Sequence, residues 1–366
     1  MRYQAAILER TGAPLVIGEA TLGDLAPTDV LIRNRASGLC HTDLEVIDGS
    51  LAYPLPIVLG HEGAGVVEAV GAAVTQVRPG DHVVASWNPH CGHCFYCERD
   101  LPILCEPFTR HQPQGRMLDG ASRLSWRGAT LHHFSVVSSH AAYSVVPESG
   151  AIVVPKEIPF DRACLIGCGV MTGVGAVCRL AKVAPGSHVV VVGCGAVGLN
   201  AIQAAVLMQA ATVIAIDRDA AKLAMAQRFG ATHALPSDED TIAAVKALTD
   251  GRGSDYVFEA AGAEATLQLA LEVTRPGGHL VILGKTDVQK KVSLRFGSLM
   301  GEKRIVRSSY GGARPRRDFP WLAQLYLEGK LELDALITRR LPLAQINEGF
   351  DAMRRGEGVR TVVVFE

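Results

Sequence analysis

The chain has 366 residues, 48% of them hydrophobic and 20% charged, with a net charge of −1. That length exceeds one ordinary core and predicts two domains. The near-neutral balance argues against electrostatic recruitment to nucleic acid or to anionic membrane, and the basic run "GGARPRR" (311–317) is short enough to read as a solvated loop.

The N-terminal "MRYQAAILERTG" lacks the apolar stretch of a signal peptide. The most apolar segment, "AIQAAVLMQAATVIAI", is broken by Gln203, Gln209 and Thr212, short of the ~18 uninterrupted apolar residues of a membrane span. A cytoplasmic, reducing setting is therefore expected, with no membrane partner. The first ~150 residues carry short β-type runs ("DVLIRNRAS", "GAGVVEAVG", "DHVVAS") punctuated by turn signals such as "RPGD" (78–81), which predicts a mostly β domain. From about residue 170 the texture becomes βαβ. "SHVVVVG" (187–193), "ATVIAID" (211–217), "DYVFEAAG" (255–262) and "GHLVILG" (278–284) read as buried strands, with helices at "AVGLNAIQAAVLMQA" and "AAKLAMAQRFGA" between them. Continuous apolar strands alternating with helices predict an α/β fold with a doubly wound parallel sheet. The C-terminal ~55 residues return to a mixed texture and end in a strand, "RTVVVF".

"VVGCGAVG" places Gly193, Gly195 and Gly198 between a strand and a helix. The first glycine permits the turn, the second admits a pyrophosphate to the backbone, and the third lets helix pack on strand. The helix N-terminus then faces the phosphates. Asp217 ends the next strand 19 residues beyond Gly198, where a carboxylate would hold both ribose hydroxyls of NAD and repel a 2′-phosphate. NAD is therefore expected over NADP, although Arg218 follows at once.

"CGHCFYCERDLPILC" (91–105) holds four of nine cysteines at C-x2-C-x2-C-x7-C spacing. In a reducing compartment such a cluster reads as metal ligands or catalytic thiols before disulfides. Cys40 in "ASGLCHTD", His61 and Glu62 in "LGHEGAG" and Cys168 in "LIGCGVMTG" are each unremarked alone. Together, Cys–His–Cys is a known ligand set for catalytic zinc. Zinc there would lower the pKa of a bound alcohol, and the alkoxide would deliver hydride to a nicotinamide.

These motifs, with "GLCHTD" (38–43), "GHEGAGVVEAVG" (60–71), "GCGVMTGVGA" (167–176) and the terminal "VRTVVVF", resemble the zinc-dependent medium-chain alcohol dehydrogenases over essentially the whole chain. The resemblance is to the long-form branch, near the aryl-alcohol and glutathione-dependent formaldehyde dehydrogenases, whose extra loop "GRMLDGASRLSWRGATLHHF" (115–134) resembles. It implies a GroES-like catalytic domain at 1–169 with 310–366, and a Rossmann NAD-binding domain at 170–309. It implies catalytic zinc on Cys40, His61 and Cys168, with Glu62 behind the metal and Asp43 orienting His61. Cys91, Cys94, Cys97 and Cys105 leave no open position, which suits a structural zinc. Thr42 would take the alcohol proton, His41 and Arg360 would lie near the pyrophosphate, and Lys222 would contact the adenosine ribose. Trp87 would wall the substrate pocket, with core packing as the competing reading. Glu45 stands where some relatives end a proton relay in histidine, and either Glu45 or water takes that role. A homodimer is implied, with tetramers among bacterial relatives.

The glutathione-dependent branch uses an acid before "LGHEG" and an arginine after the cysteine cluster. Here "GSLAYPLPIV" holds no acid, and Thr109 stands at the aligned arginine with Arg110 beside it. A primary aromatic, allylic or medium-chain alcohol or its aldehyde is therefore expected as substrate, with a thiol adduct of formaldehyde as the alternative. A zinc-ribbon binding protein would leave the glycine fingerprint and Asp217 unexplained. A zinc-free quinone reductase would leave seven candidate ligands unexplained.

Overall fold

A computed structural model describes residues 1–286 and 289–366. The chain forms two compact units, Met1–Cys168 with Arg314–Glu366, and Gly169–Ala313. The return crossing lies beyond the expected 310. Residues 310–312 form a turn at which Gly311 presses on the helix Met171–Gly175, and a Cβ on Gly175 would meet the Gly311 carbonyl at 2.6 Å. The turn thus belongs with the second unit.

The first unit is mostly β. Arg2–Leu8, Val16–Leu22, Leu124–Trp126, Ala129–His133 and Ile57–Val58 close a small barrel. A second sheet is built on the long strand Asp29–Gly38. This strand pairs with Glu62–Val70, Tyr143–Pro147 and the C-terminal strand Arg360–Val364. It is buried at eight of ten positions, which a strand flanked on both edges and both faces requires. The terminal "RTVVVF" is thus a strand of the catalytic unit, lying parallel to Ile337–Pro342.

The second unit is a six-stranded parallel sheet in the order His233–Pro236, Thr212–Asp217, His188–Val192, Ser254–Glu259, Thr274–Ile282, Arg304–Arg307. In chain order that is 3-2-1-4-5-6, the doubly wound arrangement whose ligand crevice opens where the winding reverses. The strand His188–Val192 stands at that reversal. The outer strands "HALP" and "RIVR" were not expected from the sequence. Each is four residues long, and Arg304–Arg307 is exposed throughout, so neither carries the apolar run of a buried strand.

Among the described residues one helical run, Phe160–Ala181, is long and apolar enough to cross a membrane, and 72% of its most apolar window is buried inside the protein. Burial of that kind is what an all-apolar core helix requires. Cys164 and Cys194, outside both ligand sets, are buried, and Cys178 is half-buried.

Candidate active site

Strand pairing creates the site. Gly38 lies opposite Glu62 in the antiparallel pair Asp29–Gly38 and Glu62–Val70. Cys40 follows the first strand and His61 precedes the second, so the pairing brings two residues 21 apart in sequence side by side. A Cβ on Gly38 would strike Glu62 Oε2, so a larger residue would push the pair apart. Cys168 arrives from a π-helical stretch, Ile166–Val170, a local widening common at functional sites. The donor atoms of Cys40, His61, Glu62 and Cys168 all lie within 4.8 Å of one another.

The chemistry of this set fits a cation. Contact with Cys168 holds the Cys40 thiol well below its ordinary value, and contact with Cys40 holds Cys168 well above its own. Two sulfurs and an imidazole gathered this closely form a soft donor set that suits a zinc ion. His61 Nδ1 donates to Asp43 Oδ1 at 3.2 Å, leaving Nε2 as a lone-pair donor for metal. Asp43 is fully buried, and its carboxylate also accepts from the backbone N–H groups of Cys40 and Gly60, each at 3.0 Å. Burial opposes its charge, but His61 and His140 beside it hold the carboxyl well below the usual range.

Glu62 is fully buried behind the set. Burial pushes its carboxyl up to about 7 against the pull of Arg360. Arg360 donates to Glu62 Oε1 at 2.8 Å and to the Leu39 carbonyl at 2.9 Å, and is itself only 7% exposed. The resemblance put Arg360 near a pyrophosphate. In the structure its guanidinium pairs with a carboxylate and a carbonyl, because an unpaired cation at that depth is costly, and other N–H groups of its five stay available to a phosphate.

The cysteine cluster lies in the same unit. Cys94 and Cys97 sulfurs are 3.5 Å apart and Cys91 and Cys97 sulfurs 4.0 Å. Two thiolates on one tetrahedral zinc stand about 3.8 Å apart, whereas a disulfide needs about 2.05 Å. Backbone N–H groups of Cys91 and Glu106 donate to the Cys105 and Cys94 sulfurs. Burial, with Cys91 and Cys97 adjacent, pushes Cys105 up to about 12, so ionising this thiol calls for a cation beside it.

In the second unit Gly193 has φ +96, and a Cβ there would lie 2.8 Å from the Ala261 nitrogen on the neighbouring strand's loop. A Cβ on Gly198 would run into the Gly193 carbonyl, whereas one on Gly195 would meet nothing within 4 Å. The middle glycine thus borders open space at the N-terminus of the helix Ala196–Leu207, where a pyrophosphate would sit. Asp217 accepts from the N–H groups of Cys194 at 2.8 Å and Asp219 at 3.0 Å, which fixes its carboxylate beside the glycine turn.

The other expected residues fall around these centres. The Thr42 hydroxyl lies 3.8 Å from Cys40 Sγ. His41 is exposed at the start of the helix His41–Asp48, and Glu45 is half-buried on it. Lys222 is half-buried on the helix Ala220–Arg228. Trp87 is partly buried against two of the catalytic unit's hydrophobic clusters. The residues around Asp43 that sequence reasoning missed are Ser37, Ser139 and His140. They carry no spacing signal, and they meet only because the segment holding Ser139 and His140 folds against Leu59 and Gly60.

Residues 26–156 match the alcohol dehydrogenase GroES-like domain family and residues 196–328 the zinc-binding dehydrogenase family. The chain is a zinc-dependent alcohol dehydrogenase-type oxidoreductase that uses a nicotinamide cofactor, and it belongs to the medium-chain alcohol dehydrogenase family. It is 39% identical to the class-3 alcohol dehydrogenase of Cereibacter sphaeroides, with 100% of each chain covered. It is 38% identical to the S-(hydroxymethyl)glutathione dehydrogenase of Paracoccus denitrificans, again with 100% of each covered. Among solved structures it superposes on the benzyl alcohol dehydrogenase of Acinetobacter calcoaceticus with a TM-score of 0.94 at 32% identity, covering 100% of both chains.

Proposed function

We propose that this enzyme is NAD-linked and oxidises the adduct of formaldehyde with a thiol, S-(hydroxymethyl)glutathione being the named model. The observation that carries the substrate is the name S-(hydroxymethyl)glutathione dehydrogenase, borne by full-length relatives at 37–38% identity. These relatives back a thiol adduct better than the primary alcohol to which residue content alone points. A second reading, a free primary aromatic alcohol, is favoured by one observation: the loop 49–58 contains no acid to meet a glutathione ammonium group. The likeness to a benzyl alcohol dehydrogenase adds to it.

Cys40, His61 and Cys168 would hold the catalytic zinc, which when bound acidifies a hydroxyl and polarises a carbonyl. Around it, Thr42 takes the substrate hydroxyl's proton and passes it to the cofactor ribose, Glu45 or water ends the relay, and His41 lies near the pyrophosphate. Trp87 packs against the substrate. Gly193, Gly195 and Gly198 receive the pyrophosphate, while Asp217 and Lys222 hold the adenosine ribose. Asp217 supports NAD over NADP, because a 2′-phosphate there would face a carboxylate.

The assembly is a homodimer in this reading. Arg304–Arg307 is an exposed sheet edge, and Phe296 and Met300 beside it in sequence are 75% and 61% exposed. An edge of that composition invites a second copy. Mass measurement in solution tests it, and a monomer at micromolar concentration would sink it.

The deciding experiment is a substrate panel of S-(hydroxymethyl)glutathione, benzyl alcohol, hexanol and geraniol with NAD and with NADP, followed by the absorbance of reduced nicotinamide. The thiol adduct is expected to give the highest kcat/KM. Preference for benzyl alcohol would establish the second reading, and no reduction by any substrate in zinc-replete enzyme would remove both.

A further inference from the structure

The segment before Tyr143–Pro147 is folded against the His61 loop in an unusual way. Ser135, Val136 and Ser138 have φ of +49, +58 and +56. For the buried, β-branched Val136 that is a strained conformation. It is held by Ser138, whose hydroxyl donates to the Val58 carbonyl at 2.9 Å, and by Asn34, which donates to the Ala141 carbonyl at 2.7 Å. The result places Ser139 and His140 flat against Leu59 and Gly60, with His140 N–H donating to Leu59 O and Ser139 N–H to Gly60 O, both at 3.0 Å.

Two glycines of "GHEG" make room for this segment. A Cβ on Gly60, whose φ is +92, would lie 2.5 Å from His140 N and 2.6 Å from His140 Nδ1. One on Gly63 would lie 2.8 Å from Ser139 Cβ. The glycines flanking His61 and Glu62 therefore admit the Ser139–His140 pair to the rear of the metal set.

His140 is fully buried. Its Nδ1 lies 2.9 Å from Ser37 Oγ, and Ser37 Oγ lies 2.7 Å from Ser139 Oγ. Its Nε2 stands 3.7 Å from Asp43 Oδ2 and has no hydrogen-bond partner among the described residues. A closure of about 0.5 Å would complete that bond. The proton order follows from donor capacity. A carboxylate only accepts, so the ring's N–H faces Asp43 from Nε2. Nδ1 is then bare and accepts from the Ser37 hydroxyl, which in turn accepts from Ser139. All donors in the series Ser139, Ser37, His140 run toward Asp43, whose other oxygen receives His61 Nδ1–H.

We infer that His140 is a positioning residue that, through Asp43, fixes the tautomer and orientation of the metal ligand His61. This rests on the reading of Cys40, His61 and Cys168 as a zinc site. Asp43 Oδ2 also accepts Cys40 N–H and Oδ1 Gly60 N–H; His140 adds a side-chain N–H on the Oδ2 side, opposite His61, and a metal-bound histidine is only as fixed as its partner. Packing alone would ask only for a flat ring at this position, which already meets Phe350 edge-on with centroids 5.9 Å apart.

The test compares three substitutions in the zinc-loaded enzyme. His140→Phe keeps a flat ring and removes both nitrogens. His140→Gln keeps a donor near the Nε2 position, facing Asp43. His140→Asn keeps polarity near Nδ1, facing Ser37. The readouts are the rate of zinc transfer to a chelating dye, resolved into the two sites, and the visible spectrum after cobalt substitution at the catalytic site. Phe and Asn are expected to speed loss from the catalytic set by about tenfold or more and to shift the cobalt bands, with the cysteine cluster unchanged and Gln close to wild type. Ser37→Ala, which keeps the ring and removes its Nδ1 partner, is expected to move the same way by a smaller factor and serves if Phe does not fold. Release within twofold of wild type for Phe, or for Asn and Ser37→Ala together, would overturn the inference, as would Gln behaving like Phe. A wild-type chain that binds metal only at the cysteine cluster would remove the zinc reading itself.

Discussion

Arg360 and Glu62 form an ion pair at 2.8 Å with side chains 7% and 0% exposed, although they stand 298 residues apart in sequence. The pair joins the C-terminal strand to the strand that follows His61. Removing one partner strands the other charge in the interior, which costs about 3–5 kcal/mol. Glu62→Leu, which strands a guanidinium that cannot shed its charge, is therefore expected to lose that much in urea unfolding, whereas Arg360→Met should cost less, because the Glu62 carboxyl, already pushed up to about 7, takes up a proton. Glu62→Leu with Arg360→Met together should recover much of it, because no charge is left unpaired. Additive losses in the double variant would refute the coupling.

Gly195 and Gly198 should fail differently. A Cβ on Gly195 meets nothing in the protein, so Gly195→Ala should leave the melting temperature nearly unchanged while raising KM for the cofactor by about tenfold or more. Gly198→Ala forces its methyl onto the Gly193 carbonyl and should cost about 1–3 kcal/mol of stability as well. Parallel melting curves and cofactor titrations separate the two. Equal stability losses would contradict the open space seen above Gly195.

The contrast between these glycines and the metal set explains what could be read from the sequence. Gly193, Gly195, Gly198 and Asp217 serve a local strand–turn–helix whose backbone demands dictate residue type at fixed spacing. Cys91, Cys94, Cys97 and Cys105 are legible for the same reason, since their ligands are close in the chain. Cys40, His61 and Cys168 had to be assembled through family motifs. The pairing of Gly38 with Glu62 and the π-helical turn at Cys168 are tertiary facts with no local signature. Arg360 shows the limit: its position in "VRTVV" fixed a strand but not the partner of its guanidinium. His140, Ser37 and Ser139 had no signal at all, because they come together only when the 135–140 segment folds against the strand Asp29–Gly38 and the His61 loop.

The cysteine cluster should behave as a staple. Cys97→Ser is expected to hold one zinc per chain where wild type holds two, one at each donor set. Its melting temperature should drop by on the order of 10 °C. Activity per remaining folded chain should fall later than the zinc content, as the lobe loosens. Metal analysis decides, and a variant retaining both zincs would end the structural assignment.

Asp217 should set cofactor choice. Asp217→Ser keeps a short oxygen acceptor for the Cys194 N–H and removes the charge. The ratio of kcat/KM for NAD to that for NADP is expected to fall by about tenfold or more, through both weaker ribose binding and relief of like-charge repulsion. An unchanged ratio would mean that the carboxylate serves only the glycine turn.

His133 should impose an acid limit on stability. Burial, aided by the positive charge of Arg123 and by His132 and opposed by Asp119, pushes its ring from an ordinary 6.5 down to about 3. Its Nε2 accepts the Arg123 backbone N–H at 3.1 Å, a bond that the protonated ring cannot make. Because the folded value is depressed, the unfolded chain binds the extra proton first. The contribution is complete above about pH 6.5 and is lost as pH falls toward 3. Between pH 7.5 and 5 the loss should be about 2 kcal/mol. Gln at this position keeps an acceptor for Arg123 but does not titrate, so His133→Gln should be less stable than wild type near pH 7.5 by its packing change alone and close that gap at pH 5. Asp119, held low by Arg123, titrates in both proteins and cancels in the difference. Urea unfolding of the pair across this range checks it, and parallel pH profiles would show that His133 carries no such load.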